Sequence, residues 1–177
     1  GVKRELMSFD VAKRAVDFLI QMSGSRQHCE IDFFGGEPLL NWEVVKQTVE
    51  YIEQEAPKYN KIFKLTLTTN GMLLNQEKID YVNEHKMSLV LSLDGREDVH
   101  NAMRPVAGSG ANSYEYIAKN LVNAVKQRHG LEYYVRGTYT HKNLDFTKDV
   151  MAMSDLGFEH LSMEPVVGED GDYVLRE

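Results

Sequence analysis

Five runs of strand-forming residues lie along the 177-residue chain, and helical stripes separate each run from the next. The runs are "CEIDFF" (29–34), "IFKLTLTT" (62–69), "SLVLSLD" (88–94), "EYYVRGTYT" (132–140) and "HLSMEPVV" (160–167). No two of them are joined by a hairpin-length turn. Strands separated by helices pair in parallel through right-handed crossovers, so the alternation predicts an α/β fold with a parallel sheet. Ser8 is expected to cap a first helix reaching Met22, with Val11, Ala15, Phe18, Leu19 and Met22 as its apolar stripe. Asn41 opens a second helix with Val45, Val49 and Ile52 as its seam, and Asn75 a short third with Ile79 and Val82. A short helical piece covers Val99 to Met103. Ser113 opens a long helix carrying Ile117, Leu121 and Val125, closed by Gly130, and Asp145–Leu156 is a last helix stopped by Gly157. Between Arg104 and Asn112 the composition reads as a mobile loop.

Each strand has two unlike faces. Leu65 and Leu67 oppose Thr66, Thr68 and Asn70; Leu89, Leu91 and Leu93 oppose Ser88, Val90, Ser92 and Asp94. Val135 and Tyr139 oppose Arg136, Thr138 and Thr140, and Leu161 and Met163 oppose His160, Ser162 and Glu164. A filled eight-stranded barrel would carry branched aliphatics inside, and a doubly wound sheet would be apolar on both sides. Two architectures fit the polar face equally: an incompletely closed barrel with a ligand in its lumen, or a two-layer sheet with that face in water.

The strand ends favour the barrel. Gly35-Gly36-Glu37, Asn70-Gly71, Asp94-Gly95, Arg136 with His141 beyond it, and Glu164-Pro165 all fall at or near C-terminal strand ends, where parallel α/β folds bind ligands. Taken singly, each glycine is an ordinary turn residue. Together the ends bring an acid, an amide and a guanidinium to one rim. Glu37 can accept from an ammonium, with the Gly35-Gly36 backbone offering carbonyls at close range. Arg136 can clamp a carboxylate with two parallel hydrogen bonds, and Ser92 and Asp94 suit ribose hydroxyls. Ammonium, carboxylate and ribose together describe S-adenosylmethionine.

Composition excludes several other classes. The net charge is −7 and the basic residues are scattered, which argues against a nucleic-acid or anionic-membrane surface. No apolar run approaches membrane-spanning length, and no secretory segment opens the chain. A single cysteine, Cys29, cannot form an internal disulfide and fits a reducing cytoplasm. It reads as a small buried hydrophobe. The eight methionines are expected in the core. "GSGANS" (108–113) follows no strand and lacks a lysine, so it is a poor phosphate cradle. No H-x3-H pair suggests zinc, His141 reads as a solvated loop residue, and "REDVH" (96–100) and "VKQRH" (125–129) read as solvated helix faces.

"FFGGEPLL", "LTTNG", "LSLDG" and "YVRGTYTH", in this order and spacing, resemble the radical S-adenosylmethionine superfamily. "LMSFDVAKRAVDFLI", "YYVRGTYTHKNLDF" and "DLGFEHLSMEPVV" are similar to its SPASM-type peptide maturases, closest to those that install thioethers in six-cysteine ribosomal peptides. Sulfatase-maturing enzymes share much of this framework. The resemblance implies a partial (β/α)6 barrel with parallel strands, and a cofactor site formed by Gly35, Gly36, Glu37, Asn70, Ser92, Asp94 and Arg136. It implies a deoxyadenosyl radical that takes hydrogen from a residue of a ribosomally synthesised precursor peptide, after which a cysteine sulfur bonds to that carbon. An electron donor of flavodoxin or ferredoxin type would serve the intact enzyme.

The family holds a [4Fe–4S] cluster with C-x3-C-x2-C after the first strand, and that motif is not in this sequence. Residues 1–177 therefore read as one domain, the barrel's second to sixth strands without the first. The cluster loop is expected upstream of Gly1 and the SPASM-type extension downstream of Glu177. The expected open edges would make such a segment self-associate or bind its cofactor poorly, and alone it is expected to be inactive. Two other readings stand beside this one. The first is a metal-dependent barrel lyase using Asp94, Glu164 and His141; the second is a non-catalytic nucleotide- or peptide-binding module.

Overall fold

The computed structural model describes residues 5–106 and 109–167. Ala107 and Gly108, within the loop read as mobile and the "GSGANS" segment, lie outside the described residues, as do both chain ends. The elements run α1 (Phe9–Met22), β1 (His28–Phe33), α2 (Trp42–Glu55), β2 (Ile62–Thr69), α3 (Gln76–Glu84), β3 (Ser88–Ser92) and α4 (Glu97–Met103). They continue as α5 (Tyr114–Lys126), β4 (Tyr133–Tyr139), α6 (Thr147–Asp155) and β5 (Leu161–Pro165). All five strands are parallel and stand in the order β1-β2-β3-β4-β5. Right-handed crossovers that all step the same way put every connecting helix on one face of the sheet. That separates this topology from a doubly wound sheet, in which the direction of stepping reverses.

The face under the helices is the core. Leu65, Leu67, Leu89, Leu91, Leu93 and Val135 pack there against Val45, Val49 and Ile52 of α2, Ile79 and Val82 of α3, and Ile117 and Leu121 of α5. Burying each such side chain contributes about 2 kcal/mol. The opposite face carries the polar set. Asp32 lies opposite Thr66, Thr66 opposite Ser88, Ser92 opposite Arg136, and Arg136 opposite Ser162. At the N-terminal end of this face Lys64 Nζ reaches Glu132 Oε2 at 2.7 Å, and Ser88 Oγ donates to the same oxygen at 3.1 Å. Three strands are thereby tied into a polar floor. Those two donors hold the Glu132 carboxyl below its ordinary range.

Several expectations need correction. The buried stripe of α1 is Ala12, Val16 and Ile20, whereas Val11, Phe18 and Met22 are exposed. The reason lies beside β1, the outer strand of the sheet. Ala15 and Leu19 face a cavity of about 1360 Å3 between α1, α2 and that strand, so α1 has two apolar faces and buries only one. Ser8, Asn41 and Ser113 do stand at helix starts, but their side chains do not cap; only Asn75 does, accepting from Lys78 N at 3.1 Å. Asn41 Nδ2 instead donates to Met7 O at 2.8 Å. Met87 and Met153 are buried, but Met7, Met22 and Met151 are exposed.

Each of the two clusters read as solvated faces holds one deeply buried polar side chain among exposed ones. His100 is fully buried, edge-on to Tyr114, and burial pulls its pKa down to about 4. Arg128 is 2% exposed and donates to Asn83 Oδ1 at 2.6 Å, to Met87 O and to Glu132 O at 2.7 Å. Burial lowers its pKa to about 10. Short polar runs show no period that separates a buried arginine bound to carbonyls from a solvated one.

Candidate functional site

The loops after the strands form the polar mouth of the sheet. The first, after β1, turns at Gly35, whose φ of +145° suits only glycine. A Cβ built on Gly35 or Gly36 would meet no protein atom within 4 Å. Protein packing therefore gives no reason for glycine at 36. Glu37 follows, and its carboxylate is largely engaged. Oε1 accepts from Leu39 N at 3.0 Å and Thr69 Oγ1 at 2.9 Å, while Oε2 accepts from Asn70 N at 2.9 Å. It caps the 3-10 turn Pro38–Asn41 and fastens the end of β1 to the end of β2. A carboxylate has about four acceptor sites, so three protein donors leave room for one more. Asn70 Oδ1 accepts from Met72 N at 2.9 Å, which fixes its turn.

Across the mouth, Ser92 and Arg136 are direct register partners on β3 and β4, and both are half-buried. Arg136 Nη1 stands 3.9 Å from Glu164 Oε1, at the outer limit of an ion pair between partly exposed groups. Such a pair is worth little, which leaves the guanidinium fork available to another anion. Asp94 differs from these two. It is 1% exposed, accepts from Arg104 Nε at 2.6 Å and Nη2 at 3.1 Å, and takes the Thr138 N–H at 3.0 Å.

Behind Asp94 the chain is crowded. Gly95 has a φ of +101°, and a Cβ there would lie 2.7 Å from Asp149 Cα and closer still to its side chain. Asp149 is fully buried and accepts from Arg96 N at 3.1 Å, Arg96 Nε at 2.7 Å and Asn143 Nδ2 at 3.0 Å. Arg96 also forks onto Asp145, and its two carboxylates raise its pKa. A Cβ on Gly137 would lie 2.8 Å from Leu93 O and 3.3 Å from Asp94 Cα.

The structure thus brings Gly36, Glu37 and Asn70 together on one side of the mouth, and Ser92 and Arg136 on the other. Arg104, Thr69 and Thr138 are missed by the sequence reading. Of these only Arg104 leaves a signal, four residues after His100 on the short helix behind Asp94. The metal-lyase reading has no support. Asp94 is held by Arg104, His141 is exposed, and no group of three or more potential ligands stands together among the described residues. Cys29 is buried, and one thiol cannot supply three thiolates, so the residues of this chain do not fit a [4Fe–4S] cluster. Among the described residues no helix is long and apolar enough to cross a membrane.

Comparison with known proteins gives the same picture. A cysteine-type anaerobic sulfatase-maturating enzyme of Clostridium perfringens is 35% identical over 105 residues, covering 59% of this chain and 26% of that protein. The uncharacterized protein MJ0907 of Methanocaldococcus jannaschii is 25% identical over 92% of this chain and 59% of its own length. The radical SAM cyclopropyl synthase TigE of Paramaledivibacter caminithermalis is 23% identical over 67% of this chain and 24% of that protein. The chain therefore spans little more than half, at most, of the relatives it matches here. The solved structure of native anSMEcpe with bound AdoMet and Kp18Cys peptide superposes with a TM-score of 0.85 at 22% identity. It covers 99% of this chain and 49% of that one, so the five parallel strands share the fold of that part of it. The model of the radical SAM superfamily matches residues 2–151, and the chain belongs to that superfamily.

Proposed function

We propose that this chain is the S-adenosylmethionine-holding wall of an enzyme that modifies a ribosomally synthesised peptide. The observation that carries the reading is the facing pair Ser92 and Arg136, with a 3.9 Å ion-pair contact on the guanidinium, across the mouth from a Gly36 backbone that no described residue obstructs. The backbone of Gly35 and Gly36 would hold the methionyl ammonium, with the acceptor site left on Glu37 as its partner. Asn70 borders it. Arg136 would clamp the carboxylate borne by the same α-carbon, and Ser92, with Asp94 behind it, would serve the ribose. When bound beside a one-electron reductant, the cofactor supplies hydrogen-atom abstraction. The residues of this chain bind it, orient it and keep water from the reacting end.

The peptide substrate is supported by the superfamily match, by relatives named as a sulfatase-maturating enzyme and a cyclopropyl synthase, and by a structural neighbour solved with a peptide. Within that class we infer thioether formation in a cysteine-rich peptide, a SPASM-type extension, a cluster held by residues outside this chain, and a flavodoxin- or ferredoxin-type donor in the cytoplasm. Sulfatase maturation is the second reading, favoured by the 35% identity to the Clostridium perfringens enzyme.

Calorimetric titration of S-adenosylmethionine into the chain and its Arg136→Ala variant tests the site. Removal of the guanidinium should cost ~2–4 kcal/mol of binding, because a buried carboxylate loses its partner. Unchanged affinity with a lowered melting temperature would make Arg136 a partner of Glu164 alone. The outer strand β1 is flanked by exposed Leu6, Phe18, Phe34 and Leu40. An open edge beside such a patch recruits partners, so the chain should self-associate. A monodisperse monomer in sedimentation at tens of micromolar would refute this.

A further inference from the structure

We propose that Asp94 is a positioning residue, whose carboxylate sets the spacing of Ser92 against Arg136 and does not itself touch the ribose. This rests on the cofactor site proposed above. The β3–β4 ladder has its last register pair at Ser92 and Arg136, followed by one more bond from Leu93 N to Arg136 O at 3.1 Å. The next donor on β4, Thr138 N, finds Asp94 Oδ1 at 3.0 Å where a strand carbonyl would otherwise be. The side chain thus lengthens the ladder by one bond just beyond the two ligand-facing residues.

Arg104 grips the same carboxylate from the end of α4, and its own carbonyl accepts from Ser113 Oγ at 2.8 Å at the start of α5. Asp94 N in turn approaches His100 Nδ1 at 3.4 Å. The carboxylate, whose side chain is 2% exposed, therefore ties the end of β3 to β4 and to the residue that ends α4. Three protein donors and the packing around it leave this acid almost no surface to offer a ribose, and turning it outward would leave Arg104 or the Thr138 N–H unpaired. Gly137 supports the same reading. Its lack of a side chain lets the β4 backbone come close to Leu93 and Asp94, where any shift of one strand past the other moves Ser92 relative to Arg136.

The test is calorimetric titration of two ligands, S-adenosylhomocysteine and its analogue without the 2′ and 3′ hydroxyls, into the chain and its Ser92→Ala, Arg136→Ala, Asp94→Ala and Asp94→Asn variants. Asp94→Ala should weaken both ligands by the same factor, roughly tenfold or more, because misplacement penalises every contact. Ser92→Ala should weaken only the hydroxylated one. Asp94→Asn keeps an oxygen for Thr138 and should recover part of the loss; it also carries the comparison if Asp94→Ala does not fold. Without ligand, amide exchange at Thr138 should rise in Asp94→Ala while β1 and β2 stay protected. A loss at Asp94 that vanishes with the dideoxy ligand means direct ribose contact and overturns the positioning role, with the site standing. Wild-type affinity in Asp94→Ala overturns it too. If the unaltered chain binds neither ligand, or Ser92→Ala and Arg136→Ala bind like it, the cofactor site falls and this proposal with it.

Discussion

A Cβ added to Gly36, past the end of β1, meets no protein atom within 4 Å, whereas one added to Gly95, past the end of β3, runs into the Cα and side chain of Asp149. Both glycines end a strand on the same rim. At Gly95 the protein itself fills the space: α6 presses its buried aspartate against the backbone, and φ of +101° excludes other residues independently. At Gly36 none of the described residues claims the space, and φ is not in the left-handed region. One glycine serves packing and the other leaves room. A glycine count along the rim cannot separate the two; substitution can.

The largest expected effect is at the crowded end. Gly95→Ala should cost about 4 kcal/mol or prevent folding, because the obstacle includes backbone and the conformation is strained as well. Denaturant midpoints measure it. Gly137→Ala comes next, at roughly 2–3 kcal/mol, since Met163 can swing away but the carbonyl of Leu93 cannot. A loss under 0.5 kcal/mol at either position would mean the strands part easily, and the contrast would fail.

Acid should weaken the same end. His100 has a pKa of about 4 when folded, against an ordinary 6.5, because burial disfavours its charged form. The unfolded chain therefore takes up the proton first, and stability held above pH 6.5 is lost as the pH falls toward 4. Between pH 7 and 4.5 this amounts to about 2 kcal/mol, and it should be missing from the stability-against-pH curve of His100→Asn. An identical pH slope in the two proteins would show that His100 is not held neutral. The smallest change in stability belongs to Gly36→Val, within about 0.5 kcal/mol, yet that variant should lose S-adenosylmethionine binding. Lost stability with binding intact would reverse the roles assigned to the two glycines.

How much of this was legible depended on the length scale of the signal. The alternation of strand and helix is long and periodic, and it carried the parallel order, with β2 read to the residue at Ile62–Thr69. The two faces of each strand were legible for the same reason, since a period of two survives wherever one face is buried. Local capping was not. Ser8 and Asn41 have suitable side chains, but loop geometry sends Asn41 to Met7 O instead. The site was half legible. Gly36, Ser92 and Arg136 stand on the mouth as the spacing suggested, while Asp94 has the right chemistry for a ribose but is enclosed by Arg104 and Thr138. His100 comes from a short helix whose polar look concealed its burial, because a lone buried imidazole has no periodic signature.

The strand order described above also bears on how the molecule is made. Among the described residues every strand pairs only with strands next to it in the chain. During synthesis each new strand therefore emerges with its docking partner already complete, and no strand must wait for a distant segment to be translated. Contacts close over one βα unit at a time, which keeps the loop-closure entropy of each step small. A nascent chain of this topology can consolidate progressively behind the ribosome, growing by one unit at its advancing edge.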